Sequence, residues 1–294
     1  MRQRFLANVY KGKNSWWRYG FVIGSVVIFW AVFAYFMVAG AKDLLADFAF
    51  DDLATDMVSG ALPFLFVIVW LAALVKVLHR RSFVSLINAD SGIHYKRMAQ
   101  GFGLWILLMT AGAGLDMWVS PENYRWAFDP DRWFWLLPLS MLLVPIKTSA
   151  EELLFRGYVM QGLRLMTRRP LLLLLINGFV FTLPHLNNPE MLRGSFLSGA
   201  VHYFVWGVLF AAITLLDNGL ELSLGVHAAN NIFSYLMVGT PDSVVVTPTL
   251  WVHSASADPL WSVLRLVVGS VIFYAIFFSR VPRRASRTLP SSVI

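Results

Sequence analysis

Apolar runs close to twenty residues long recur from one end of this chain to the other, and they restrict its fold more than any other feature. In hydrocarbon every backbone N–H and C=O must bond within the chain, so a spanning run of this kind is a helix. At ~1.5 Å rise per residue, about 20 residues cross the ~30 Å apolar core of a bilayer. Composition agrees: 57% of residues are hydrophobic and 14% are charged, whereas a soluble domain carries about 25% charged residues. The expected fold is all-α, a polytopic transmembrane helix bundle of about eight spans.

The spans read as Gly20–Gly40, Ala61–Leu78, Phe102–Val119, a fourth from Trp133 into the Glu151 region, Leu171–Leu186, Phe196–Leu216, Leu222–Val238 and Leu260–Phe278. Charges between them alternate. Arg2, Arg4, Lys11, Lys13 and Arg18 precede the first span, and Asp43, Asp47, Asp51, Asp52 and Asp56 follow it. Arg80, Arg81, Lys96 and Arg97 follow the second, Arg164, Arg168 and Arg169 the fourth, and Arg280, Arg283, Arg284 and Arg287 the last. Cytoplasmic loops collect Lys and Arg, so both termini are expected in the cytoplasm, as in a bacterial plasma (inner) membrane. Trp16, Trp17, Trp118, Trp133, Trp135 and Trp251 fall near span ends, where an aromatic belt belongs.

The net charge of +7 sits beside apolar runs, so it marks topology and contact with anionic lipid of the bilayer; no nucleic-acid partner is expected. The absence of cysteine excludes disulfides, thiolate metal sites, cysteine nucleophiles and lipidation on sulfur. Ala39-Gly40-Ala41 resembles a signal-peptidase site ahead of Lys42, but the apolar stretch is long for a signal peptide and favours an uncleaved anchor. The tail after Val281 is expected to be disordered.

Ionisable groups inside a bilayer are costly and call for a functional explanation. Three clusters qualify: Glu151-Glu152-Leu-Leu-Phe-Arg156, Phe181-Thr-Leu-Pro-His185 and His227-Ala-Ala-Asn230-Asn231. Pro145 is expected to break the fourth span, and Thr148 and Ser149, each three residues before a glutamate, have the capping-box spacing of a new helix start. Glu152 and Arg156 are four apart and can pair. Glu151 lies about 100° away around the helix and is left for other work. Glu151 and His185 stand about seventeen residues on either side of the basic turn Arg168-Arg169-Pro170, so a helical hairpin brings them to one level. His227 and Asn231 share a helix face. One carboxylate, two imidazoles and a carboxamide can therefore converge. A Glu–His pair can deprotonate water, and His N–H and Asn NH₂ groups can stabilise an oxyanion.

Glu-Glu-Leu-Leu-Phe-Arg-Gly at 151–157, Phe-x-x-x-His at 181–185 and His-x-x-x-Asn at 227–231 together resemble the signature motifs of the CAAX-protease and bacteriocin-processing (CPBP) family, which includes the type II CAAX prenyl endopeptidases. The resemblance covers about 130–240. It implies an eight-helix intramembrane glutamate endopeptidase whose active site opens to the cytoplasm. Carried over by position, it implies that Glu151 and His185 activate the water, that His227 and Asn231 stabilise the oxyanion, and that Glu152 and Arg156 support them. Its substrate would be a membrane-associated or lipid-modified protein or peptide. Some members of the family resemble scaffolds or immunity factors, and that alternative stands beside the enzyme. A zinc protease using Glu151, His185 and His227, or a transporter, is a further alternative; no other cofactor is expected. The chain then divides into a cytoplasmic segment 1–19, N-terminal spans 20–130, a catalytic core 131–240, a last loop and span 241–280, and a basic tail 281–294. Oligomeric state leaves no mark in the sequence.

The remaining polar residues have plainer readings. Pro184 should distort the fifth helix beside His185. His202, Asn177 and Asn230 read as contacts between helices, with Asn230 a competitor of Asn231 for the donor role. Asp116, Lys76 and Arg265 read as span-end or snorkelling residues, and His79, His94 and His253 as solvated loop residues.

Overall fold

The computed structural model describes residues 4–46, 52–90, 92–189, 191, 196–241, 243, 245–253 and 259–279. The basic tail 281–294 and the loop acids Asp47 and Asp51 lie outside the described residues. Each apolar run forms a helix: α1 Trp16–Ala46, α2 Asp52–Val77, α3 Tyr95–Val119, α4 Pro130–Leu163, α5 Pro170–Thr182, α6 Phe196–Asp217, α7 Glu221–Leu236 and α8 Pro259–Phe277. Among the described residues α2, α3, α4 and α6 are long and apolar enough to cross a membrane. Trp16–Val32 of α1, Pro170–His185 and Trp261–Phe277 of α8 are shorter apolar stretches. The backbone of α1 runs through Ala39, Gly40 and Ala41 without a break.

Helix α7 differs from the rest. Glu221, Ser223 and His227 are buried along with its leucines and alanines, because it packs against α3, α4 and α6 inside the bundle. Glycine makes this possible. A Cβ on Gly225 would overlap the Met98 carbonyl, and one on Gly101 would overlap the Leu222 carbonyl, so α3 and α7 touch backbone to backbone. Gly178 and Gly207 do the same for α5 and α6. Small residues at helix crossings are the ordinary device for close packing in lipid.

Helix α4 corrects one expectation. Pro138 and Pro145 both lie inside it, and no new helix starts at Thr148 or Ser149. The Thr148 hydroxyl instead donates back to the Val144 carbonyl at 3.1 Å. Neighbouring groups can satisfy a proline-interrupted ladder in a membrane helix, which is why the helix survives. The irregularity comes later, as a π-helical stretch over Leu153–Val159. Asn177 of α5 donates to the Phe155 carbonyl of that stretch at 2.8 Å, the interhelical contact expected of it. A Cβ on Gly157 would lie 2.8 Å from the Leu86 carbonyl, so this glycine lets the loop after α2 press against the π-helical turn.

Other expectations also give way. The fold is not purely α: β1 Tyr124–Trp126, β2 Val238–Gly239 and β3 Trp251–His253 form a sheet ordered β1-β3-β2, antiparallel then parallel. Strands this short carry too little alternation to be read from sequence. His253 is buried in β3, whereas His94 is a half-exposed loop residue as expected, and it also bonds Glu221 at 3.0 Å. Asp116 and Arg265 pair at 2.5 Å instead of snorkelling. His79 is fully buried: its Nδ1 meets the Lys13 carbonyl at 2.8 Å and its Nε2 the Tyr158 hydroxyl at 2.7 Å. This anchors an N-terminal 3₁₀ helix, Leu6–Lys11, whose Leu6 and Val9 are buried with neighbouring Phe5. Asn8 completes the dock by donating to the carbonyls of Ser85 and Asn88 at 2.9 and 2.6 Å.

Candidate active site

Three helices deliver the site. α4 brings Glu151 and Glu152 just ahead of its π-helical stretch. α5 stops at Thr182, because Pro184 has no N–H to continue the ladder, and a 3₁₀ turn Leu183–His185 carries the histidine. α7 carries His227 and, one turn later, Asn231.

The geometry gives the two glutamates different work. Glu152 Oε1 lies 2.8 Å from Arg156 Nη1 and 2.8 Å from His227 Nδ1. Glu151 Oε2 faces both imidazoles, 3.9 Å from His185 Nε2 and 3.8 Å from His227 Nε2. The Glu152 side chain is 0% exposed and that of Glu151 20%, so only Glu151 is reachable from outside the core. The Glu152–Arg156 pair expected from their spacing is present. The bond from Glu152 to His227 was not legible, because nothing local links residues 75 apart.

Each imidazole is fixed at its far nitrogen. His185 Nδ1 lies 2.7 Å from the Phe181 carbonyl, which can only accept, so Nδ1 carries the hydrogen and Nε2 turns to Glu151. The ring stacks on Tyr203 with centroids 4.3 Å apart. His227 stacks on Phe210 at 4.4 Å. The Arg156 guanidinium, wholly buried, donates to the Gly207 carbonyl at 3.2 Å and lies 4.2 Å from the Phe181 ring centroid and 4.9 Å from that of Phe210. Cation and carboxylate thus share a buried layer with the aromatic rings that pack both histidines.

Asn231 makes no hydrogen bond to the Glu–His group among the described residues. Its Oδ1 accepts from Asn230 Nδ2 at 3.1 Å, which leaves its NH₂ as the end that can donate. Asn230 therefore orients Asn231 and is not the interhelical contact expected. His202 accepts from Trp206 at 3.0 Å within α6. Sequence reading missed Tyr203, and it missed Lys147, one turn before Glu151, whose Nζ lies 3.3 Å from the Tyr235 hydroxyl. Lysine four residues before the glutamate was the available signal for Lys147. Among the described residues no three His, Asp or Glu side chains are arranged as a metal-ion site.

Residues 130–233 match the family model described as type II CAAX prenyl endopeptidase Rce1-like. The chain belongs to this family. The match begins with α4 and ends within α7, so it contains Glu151, Glu152, Arg156, His185, His227 and Asn231. An uncharacterized protein of Bacillus subtilis (strain 168), YyaK, is 32% identical over 280 residues, which cover 90% of this chain and 92% of that protein. No solved structure matches the chain. Family and apolar helices together make this member of the Rce1-like family a multi-pass membrane protein.

Proposed function

We propose that the chain is an intramembrane endopeptidase in a bacterial plasma membrane, with eight spans and both termini in the cytoplasm. The observation that carries this reading is the single Glu151 oxygen facing two imidazole Nε2 atoms at 3.9 and 3.8 Å. Both gaps are too long for a direct hydrogen bond, and one water bonded to Glu151 at ~2.8 Å would also reach an imidazole.

In the first step the water oxygen adds to the scissile carbonyl carbon and its proton passes to Glu151, with His185 Nε2 accepting the second hydrogen bond of that water. The carbonyl oxygen becomes an oxyanion. Asn231 NH₂ and His227 Nε2–H are its donors. Because the Nδ1 proton of His227 is committed to Glu152, the ring donates through Nε2 only while it holds both protons. In the second step the C–N bond breaks, Glu151 returns its proton to the leaving nitrogen, and the acyl fragment leaves as a carboxylic acid. Arg156 and Glu152 position His227 and do not touch the substrate. The substrate is a membrane-associated or lipid-modified protein or peptide.

The test uses purified protein in lipid nanodiscs and internally quenched membrane peptides, among them a farnesylated CAAX peptide. Glu151→Gln is expected to abolish cleavage, and His185→Ala, His227→Ala and Asn231→Ala each to lower kcat about 10²–10³-fold. Chelator is expected to leave the rate unchanged; loss of activity on chelation and its return with zinc would replace this mechanism with a metal one. A Glu151→Gln protein with the cellular phenotype of the wild type would identify a scaffold instead.

A further inference from the structure

Arg81, in the loop after α2, is only 4% exposed. An arginine buried to this extent is normally paired with an acid. Here Nη1 donates to Gln161 Oε1 at 2.8 Å, while Nε and Nη2 meet no acceptor among the described residues. Arg4, Arg97, Arg156 and Arg265 each have a carboxylate partner; among the described residues Lys76, Arg80 and Arg81 have none. Arg80 is unusual in its backbone. It takes φ 54°, in the left-handed region, and the Arg81 N–H beyond it donates back to the Val75 carbonyl at 3.2 Å, closing the end of α2. Glycine is the usual residue at such a helix end, because a Cβ there crowds the following carbonyl. This chain accepts the strain and places an exposed guanidinium instead. The dipole of a helix C-terminus accounts for one exposed cation, but not for a second that is buried and half unbonded.

Lys76, Arg80 and Arg81 line one open cavity of about 580 Å³, the size of a small-molecule site. Ala73 and Phe83 give it an apolar wall. From Ala73 an exposed apolar face continues back along α2: Val69 and Leu65 follow at intervals of four, 60% and 44% exposed. That face covers about 12 Å of helix. Unmatched cations thus stand at the head of an exposed apolar track, on a helix long and apolar enough to cross a membrane. The cavity lies outside residues 130–233, the stretch that matches the family model.

We propose that this cavity is a binding site for an anionic phospholipid. The exposed Arg80 and Lys76 donate to the headgroup phosphate, which also supplies the counter-charge that buried Arg81 lacks. The acyl chain lies along Ala73, Val69 and Leu65. Arginine suits the role because its planar fork bonds two phosphate oxygens at once. Three cations without a carboxylate call for a headgroup of net negative charge, so a zwitterionic lipid, whose own ammonium offsets its phosphate, fits less well. A free phosphate ion would satisfy the cations but leave the apolar track unused. The proposal does not depend on the protease reading.

The experiment titrates the full chain, purified in detergent, with phosphatidylglycerol or with phosphatidylcholine of the same acyl chains, and counts bound lipid by native mass spectrometry. Wild type is expected to hold phosphatidylglycerol about tenfold more tightly, the low end of a charge-assisted hydrogen bond. Arg80→Gly and Lys76→Gln are each expected to weaken phosphatidylglycerol about fivefold and to leave phosphatidylcholine unchanged. Arg80→Gly relieves the left-handed strain, so its melting temperature should hold or rise while its lipid binding falls; a purely structural role for Arg80 could not give both. Arg168→Gln, an exposed cation outside the cavity, should keep the wild-type preference. Equal affinity of wild type for the two lipids, or the same loss in Arg168→Gln as in Arg80→Gly, overturns the site. Millimolar inorganic phosphate is the last arm. Failure to displace phosphatidylglycerol supports the lipid; displacement, with phosphate bound in its place, overturns the lipid assignment in favour of a soluble phosphate.

Discussion

Removing Arg156 should damage the fold severely, and the structure gives the size. Its side chain and that of Glu152 are both 0% exposed, so water screens neither. Arg156→Met would take away the bond to Glu152 at 2.8 Å, the bond to the Gly207 carbonyl at 3.2 Å and the packing of the guanidinium over Phe181 and Phe210. It would leave a carboxylate in the core with only His227 beside it. Breaking a buried pair in this way costs about 3–5 kcal/mol. Glu152→Gln should cost a similar amount, because the guanidinium is then the stranded charge. The double variant Glu152→Gln/Arg156→Met strands neither, so it should be more stable than the Arg156→Met single, with a coupling of about 2 kcal/mol or more. Unfolding in mixed micelles with increasing SDS, followed by fluorescence of the 12 tryptophans, gives all three values. Losses that simply add in the double variant would show that the pair is not coupled and that the aromatic packing alone carries the energy.

Three further outcomes follow from particular contacts. Pro184→Ala restores an N–H where α5 now stops, so the helix should continue and turn His185 away from Glu151; kcat should fall while thermal stability holds or rises. Gly157→Ala places a Cβ 2.8 Å from the Leu86 carbonyl, and this overpacking should destabilise the protein by about 1–3 kcal/mol on the same SDS titration. His79, just beyond the end of α2, has its pKa held below the usual histidine value, chiefly by burial. The unfolded chain then binds a proton that the folded chain refuses, so stability is full above pH ~6.5 and falls as the pH drops below it. Melting temperatures across that range should show the loss in wild type and a weaker dependence in His79→Gln.

Much of this molecule was legible before any coordinates, because lipid leaves the chain few choices. The apolar runs had to be helices, and the helices formed over those runs. Spacing of four put Glu152 against Arg156, and the distances from one basic turn put Glu151 and His185 at one level. Such relations are local, or follow from the fixed rise of a helix. Relations between distant segments were decided by tertiary structure. The sequence contains Glu152 and His227 but cannot say that one carboxylate oxygen holds both Arg156 and the far nitrogen of that imidazole. It shows Pro145 and Pro184 alike, yet α4 runs through the first and α5 ends before the second; helical propensity treats the two prolines the same, and only neighbouring groups that re-satisfy the backbone distinguish them. His79 reads as a loop histidine until the N-terminal segment folds over it. Lys147 draws no reading from the sequence until the bundle sets its ammonium 3.3 Å from the Tyr235 hydroxyl. Helix formation is settled by backbone hydrogen bonding within each segment, whereas the partner of a buried charge is settled by which helices pack together, and packing is a property of the whole chain.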